Sequence, residues 1–216
     1  MAEYQVTIKT LAPIHLSSGQ ADVTIDAEVI HDACGLPYFP AKRFKGLLYE
    51  SALELAEMSE LCGEPFVEQK TVDELFQHGI NARVRLIIHD FHLPEYKIMQ
   101  SELQYLEKKY GELIQPADVL EEYTSVRYQT ALDEHGIAAR TSLHNMRVVD
   151  SGLEFCGTLE LCGAEPRHEQ ALVLALRNLQ AAGLKRNRGF GRIACTIGNK
   201  ETMDKMVQQA LRKEVH

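Results

Sequence analysis

Residues 183–192, GLKRNRGFGR, carry three glycines and four cations within ten positions and no acidic residue. Glycines let the backbone approach a ligand closely, while Lys and Arg neutralise phosphates. A helix C-cap with solvated cations is the alternative, but a cap needs only Gly183. Phe190 could stack on a base or anchor the last strand. The pattern predicts phosphate contacts from the four cations, Lys185, Arg186, Arg188 and Arg192.

A second cationic segment, GLPYFPAKRFKGLL at residues 35–48, places Lys42, Arg43 and Lys45 just after a proline. Apolar residues at helical spacing follow, so these cations lie at the start of a predicted helix. Cations there oppose the helix dipole and cost about 0.3–1 kcal/mol each. A solvated basic turn is the alternative interpretation. A bound polyanion explains the placement better, because helix N-terminal amides also favour anions.

The net charge of −8 by itself argues against a nucleic-acid ligand. The charge is segregated, however, because acids crowd the stretch from Glu50 to Glu74 whereas residues 183–192 have none. Electrostatic binding depends on the field within a Debye length of about 8–10 Å. We therefore expect both cationic turns to converge with the open side of the predicted β-sheet, the face that no helix covers, into one positively charged channel.

Asp26 is the candidate catalytic and metal-binding residue, with Asp22 and Asp32 nearby in the sequence. Mg²⁺ or Mn²⁺ prefers carboxylate oxygens and keeps several waters, so one carboxylate plus RNA phosphates could hold it. The alternative is that Asp26 caps a turn, as aspartates often do.

Histidines and cysteines offer two further candidate sites. His15 follows the first predicted strand and could be a general acid or base for metal-free RNA cleavage, or a structural histidine. A zinc site could combine Cys62, His78, His89 and His92, although the spacing matches no standard pattern. The five cysteines include no CxxC pair, which predicts mostly buried, reduced thiols.

The order of predicted elements is strand, helix, strand, strand, helix, strand, which is the ferredoxin-like βαββαβ pattern of an α+β fold. Both helices should cover one face of the sheet and leave the other free for a ligand. We expect one domain at 1–200, with insertions at about 11–40 and 95–150 and a helical tail at 201–216. No apolar run approaches the ~20 residues of a membrane span, and the N-terminus lacks a secretion signal. These features predict a cytoplasmic protein without a membrane partner. The predicted strands are 4–10, 83–91, 153–161 and 190–197, and residues 25–30 form a further β-like stretch. The predicted helices begin at residue 41, near residue 100 and at residue 168, and Gly183 ends the last of them.

Residues 35–48, preceded by the β-like Ile25–Asp32, resemble the first motif of the RAMP superfamily (repeat-associated mysterious proteins). The 183–192 segment resembles the glycine-rich signature of the same superfamily. Residues 75–76 with the following strand, 127–133 and 142–144 also fit, so the likeness runs nearly end to end.

The resemblance implies a backbone-type subunit of a type III CRISPR effector complex, which serves antiviral defence. Its partners would be CRISPR RNA, complementary target RNA, other RAMP subunits and the large subunit. The family's protruding hairpin would fall at 124–150, with Arg127, Arg140 and Arg147 exposed for RNA contact.

Two positions of the family pattern bear on chemistry. In several backbone subunits the residue matching Asp26 cuts target RNA with a divalent metal, and at the position of His15 related proteins touch guide RNA or organise the loop. Residues 41–43, Ala-Lys-Arg, depart from the more frequent Gly-Ser-Ser turn. The alternatives are a non-catalytic capping subunit, a metal-free guide-processing endoribonuclease acting through His15, and an unrelated small-molecule ferredoxin-like protein.

Overall fold

The computed structural model describes residues 1–21, 24–63, 66–77, 82–111, 113–131, 134, 136–137, 139 and 142–211. Within these residues, none of the helices has the length and apolarity needed to cross a membrane. The elements, in chain order, are β1 (Ala2–Thr10), α1 (Ala41–Leu61), α2 (Gln69–Phe76), β2 (Arg85–Ile88), α3 (Tyr96–Tyr110), α4 (Pro116–Glu121), β3 (Thr124–Gln129), β4 (His144–Val149), β5 (Glu154–Cys162), α5 (Pro166–Asn178), β6 (Ile193–Ile197) and α6 (Lys200–Leu211).

Four of the strands form one antiparallel sheet in the order β2-β5-β1-β6. The first, second, third and fourth strands of a ferredoxin-like fold correspond to β1, β2, β5 and β6. Val6 on the central strand β1 is opposite Gly157 on one side and Ile197 on the other. The predicted ferredoxin-like α+β fold is therefore confirmed.

The core lies between this sheet and the two long helices α1 and α5. On β1, alternate residues Tyr4, Val6 and Ile8 are buried because strand side chains point to opposite faces with period two. Helix α1 follows Pro40 and helix α5 begins at Pro166, and proline is well placed at the start of a helix. They pack on each other, and the buried Ser51 hydroxyl of α1 donates 2.8 Å to the Ala175 carbonyl of α5.

The remaining two strands, β3 and β4, pair antiparallel as the predicted hairpin. Its second strand is fastened to the start of the first insertion, where Ile14 and Val149 exchange two backbone hydrogen bonds of 2.9 and 2.8 Å. The hairpin is thus built onto the segment that leaves β1, at one end of the central sheet.

Several predicted boundaries are wrong. Helix α5 ends at Asn178, and Gly183 does not cap it, because residues 179–182 are already turning into a paired segment. In that segment Ala182 N–H donates 2.8 Å to Gly191 O. The β-like stretch at 25–30 forms no strand and has only an isolated bridge between Ser17 and Val29. Helices α2 and α4 were not predicted.

Candidate RNA-binding site

The glycine-rich segment 183–192 folds back against residues 13–15. Gly191 N–H donates 2.8 Å to Pro13 O, and Leu184 N–H donates 3.2 Å to His15 O. Gly191 has φ +79°, and a Cβ there would lie 2.0 Å from Ala182 O. At Gly183, also with φ +79°, a Cβ would lie 2.7 Å from His15 O, so both glycines permit close packing inside the protein. The predicted close approach of the backbone to a ligand is wrong for Gly191, whose amide is already paired.

The cations of this segment point outward. The Arg186 side chain is 46% exposed, with Nη1 3.7 Å from the Glu50 carboxylate. Arg188 and Arg192 are exposed, and neither side chain has a partner among the described residues. The Lys185 ammonium donates to the Gln129 side chain of β3 and so ties the loop to the hairpin.

The three cations of helix α1 lie on two different sides of the helix, because successive helical residues are rotated by about 100° around its axis. Arg43 Nη2 donates 2.8 Å to Ser17 O, beside the segment that carries the glycine-rich loop. Lys45 Nζ donates 3.3 Å to Leu86 O of the edge strand β2. Lys42 lies beside Lys45 in a cavity at the second helix.

The single predicted channel is therefore wrong in two respects. Of the α1 cations, only Arg43 joins the loop. The open side of the sheet is not basic, because its Lys9 pairs with Glu154 at 3.0 Å and its His89 contacts Glu160 at 2.8 Å. We use the name basic loop surface for the cations gathered around residues 13–17, which are Arg43, Lys185, Arg186 and Arg188.

Asp26 is presented by a reciprocal contact with the hairpin. Its Oδ2 accepts the Asn145 N–H at 2.9 Å, and its own N–H donates 2.7 Å to Asn145 Oδ1. The Asn145 amide also donates 2.7 Å to Thr24 O. The carboxylate, 58% exposed, thus contacts a strand distant in sequence. His144 Nδ1 lies 3.7 Å away from Oδ2.

The donor set at Asp26 fits a loosely held hard cation. No three potential metal ligands converge anywhere in the described part of the chain. Asp32 accepts N–H groups from Cys34 and Leu36 and the Tyr96 hydroxyl, so it serves its own turn. Asp22 lies outside the described residues. Asp26 would hold Mg²⁺ or Mn²⁺ as a single carboxylate, with the other ligands supplied by water and RNA phosphate.

His15 and Arg147 organise the loops rather than face solvent. The His15 side chain is 1% exposed, and its Nδ1–H donates 2.7 Å to Arg147 O. Arg147 is 9% exposed and forms a 3.0 Å ion pair with Glu28. The prediction that Arg147 is exposed is wrong. The His15 side chain is also too deeply buried to contact RNA. Both residues fasten the first insertion to the hairpin.

On the hairpin, Arg127 is exposed and Tyr128 is 68% exposed, and as neighbours in β3 they point to opposite faces of the strand. Arg140 lies outside the described residues. Sequence reasoning missed Asn145 and Glu28, whose only signal was their position beside the predicted site.

The proposed zinc ligands do not meet. Cys62 follows the last residue of α1, whereas His92 neighbours Phe91, which pairs with Phe39 just before α1 begins. A helix of 21 residues separates them by roughly 30 Å. His78 lies outside the described residues. All five cysteines are free, and only Cys34 and Cys195 are buried, so the prediction of mostly buried thiols is wrong.

Comparison with known proteins gives one family and, among the solved structures with a similar fold, two chains of type III-B Cmr-beta. No curated protein matches the chain. The fold is similar to a chain in the cryo-EM structure of the type III-B Cmr-beta bound to cognate target RNA, with a TM-score of 0.65 and 12% identity over 95% of this chain and 99% of that one. A chain of Cmr-beta in the apo state is similar at the same TM-score and identity, over 92% and 98% of the two chains. Residues 7–194 match the family model of the RAMP superfamily. The ferredoxin-like sheet, its hairpin and this match together establish that the chain belongs to the RAMP superfamily.

Proposed function

We propose that this chain is a cytoplasmic RNA-binding backbone subunit of a type III CRISPR effector complex that acts in antiviral defence. It binds CRISPR RNA along the basic loop surface and the neighbouring hairpin, and it lies beside other RAMP subunits and the large subunit. Membership of the RAMP superfamily and the fold shared with a chain of an RNA-bound type III-B complex support this assignment.

The observation that carries the proposal is the clustering of cations in an acidic protein. The Arg43 side chain contacts Ser17, and the backbone of the cation-bearing loop contacts Pro13 and His15, so a helix and a loop about 140 residues apart in sequence meet at the same five-residue segment, 13–17. Lys185 extends this surface to the hairpin. A local concentration of positive charge attracts a phosphate backbone even when the whole molecule is negative.

We further propose that target RNA paired to the guide is cut next to Asp26. A divalent cation bound there would neutralise the phosphate and lower the pKa of its bound water. The chain's own contribution is positioning, since Asn145 fixes the Asp26 loop through three hydrogen bonds and leaves the Asp26 Oδ1 without a partner among the described residues. The endoribonuclease activity would therefore require the assembled complex, where the RNA phosphate supplies the missing ligands.

A non-catalytic capping subunit is the second candidate, because Asp26 belongs to no group of three potential metal ligands among the described residues. The metal-free guide-processing ribonuclease is disfavoured. His15 Nε2 is buried and has no hydrogen-bond partner in the described part of the chain, so it is closed off from a ribose hydroxyl on the surface.

Ultraviolet cross-linking of the chain to a guide-length single-stranded RNA, followed by peptide mass spectrometry, tests the RNA-binding surface. Cross-links are expected in 183–192 and in the β3 strand near Tyr128. Residues of the open sheet side, such as Thr7 and Thr158, are expected to remain unmodified. Cross-links confined to the open side would contradict the proposed path of the RNA.

Cleavage is tested in the reconstituted complex with two variants, Asp26→Ala and Asp26→Asn. The asparagine variant removes the charge and keeps the shape of the side chain. Asp204→Ala on α6 removes an exposed carboxylate outside the site and serves as the control. Loss of regular target cutting in both Asp26 variants, with guide binding unchanged, would support catalysis. Undiminished cutting in both would leave the capping role.

A further inference from the structure

A cavity of about 450 Å³ opens between α1 and α2, on the side of α1 away from Arg43. This volume lies within the roughly 300–1,000 Å³ typical of small-molecule sites. Its lining combines cations, aromatic rings, one carboxylate and one amide. These side chains are Lys42, Lys45, Tyr49, Asp73, Phe76 and Gln77.

Neither lysine of this cavity has an anionic partner among the described residues. Lys45 Nζ donates to the Leu86 carbonyl at 3.3 Å, and burial lowers the pKa of this ammonium. Lys42 forms no hydrogen bond or ion pair with any described residue. A half-buried ammonium without a counterion loses hydration that a neutral carbonyl only partly replaces. An anion in the cavity would compensate both charges.

Two aromatic rings complete the lining, Tyr49 on the same helix as the lysines and the buried Phe76 on α2. The ring centroids of Tyr49 and Phe76 are 5.2 Å apart, and Tyr49 is 36% exposed. Asp73, which accepts a hydrogen bond from Gln69, adds an acceptor to the same lining. A bare polyanion would gain nothing from the rings and would be repelled by the carboxylate. A ligand with a phosphate at one end and a planar, amino-bearing ring at the other would use every wall.

We propose that this cavity binds one nucleotide, with its phosphate at Lys42 and Lys45, its base against Tyr49 and Phe76, and a base amino group donating to Asp73. The site is distinct from the basic loop surface, because the two lie on different sides of α1. The same chemistry is offered by a free mononucleotide and by a nucleotide turned out of an RNA chain, so the experiment separates these sources.

Isothermal titration of the full chain with AMP, CMP, GMP, UMP and inorganic phosphate tests the base and phosphate contacts together. At least one amino-bearing mononucleotide (AMP, CMP or GMP) is expected to bind at least tenfold more tightly than phosphate and than UMP, which has no amino group. Lys45→Met and Tyr49→Leu should each weaken that binding at least tenfold. Lys108→Met, on the exposed face of α3, is the matched control and should leave it unchanged. Thermal unfolding of each variant verifies that it is folded.

A parallel titration with a guide-length RNA identifies the source. If mononucleotides fail to bind but Lys45→Met weakens RNA binding while Lys108→Met does not, the nucleotide belongs to the RNA. If no mononucleotide binds and Lys45→Met leaves RNA binding unchanged, the proposal is overturned. Equal affinity for phosphate and mononucleotides also overturns it. Because Arg186 and Arg188 lie outside this cavity, their variants test the RNA surface independently.

Discussion

Removing Arg186 and Arg188 together should flatten the salt dependence of RNA binding. Arg186 is only weakly engaged, since Glu50 lies 3.7 Å away and both side chains are largely exposed, and Arg188 has no partner among the described residues. Both are therefore free to neutralise phosphates. Each phosphate contact contributes about 0.7 to the slope of log affinity against log salt for a single strand, or about 0.9 for a duplex.

Two lost contacts should reduce the slope by about 1.4 for guide RNA alone and about 1.8 for the paired guide. Between about 50 and about 200 mM salt the unaltered chain should then lose roughly 7- to 12-fold more affinity than Arg186→Ala/Arg188→Ala. Fluorescence anisotropy with labelled RNA across a KCl series gives the slope directly.

Two controls separate a direct contact from a general change in charge. Arg177→Ala removes an exposed cation on α5 that lies 3.8 Å from Asp204, and it should leave the slope unchanged. Glu50→Gln releases Arg186 from its carboxylate and should strengthen binding slightly. An unchanged slope in the double variant, or an equal fall with Arg177→Ala, would refute the placement of RNA on the basic loop surface.

Three predictions concern the elements that hold the site. Gly191→Ala should destabilise the chain and weaken RNA binding, because the new Cβ would collide with backbone. Gly189→Ala, with φ +81° but open space around it, should lower the free energy of unfolding by only about 1–2 kcal/mol. Urea unfolding compares the two variants, and equal costs would contradict the packing argument. Arg147→Met leaves the nearly buried Glu28 carboxylate without its cation and should lower the free energy of unfolding by about 3–5 kcal/mol in the same assay. A change within about 0.5 kcal/mol, as for an ordinary surface substitution, would refute the structural role of Arg147. The His168 Nε2–H hydrogen bond and then Arg167 lower the pKa of the Glu74 carboxyl, so its stabilisation is present above the unfolded pKa of about 4.3 and disappears as pH falls below it. Because the loss is complete only below the lowered folded pKa, Glu74→Gln should lower the melting temperature more at pH 7 than at pH 3, and an equal loss at both values would contradict the assignment.

Much of the fold could be predicted from local patterns. The alternation at residues 4–10 specified β1, and the apolar spacing after Pro40 specified α1, because each pattern repeats with the period of its element. The order of such elements was sufficient for the ferredoxin-like sheet. The short helix α2 was missed because eight residues provide only about two turns of periodicity.

The candidate site was only partly predictable. The cations of 183–192 were found because their types and density are local properties of the chain. Their convergence with Arg43, and the separation of Lys42 and Lys45 into another cavity, depend on which side of α1 meets the loop and which meets β2. The roles of Asn145 and Glu28 were invisible because each contacts residues 119 positions away.

The sequence by itself determined the four strands of the sheet, its two long helices and the positions of the charged side chains, since these follow from backbone period and residue type, whereas the hairpin was expected only from the family resemblance. Only the tertiary structure decided that His15 and Arg147 are interior, that the open side of the sheet is neutralised by ion pairs, and that Asp26 is held by the hairpin. The physical reason is that burial and pairing are properties of distant segments brought together. No local pattern records which carboxylate a cation will meet.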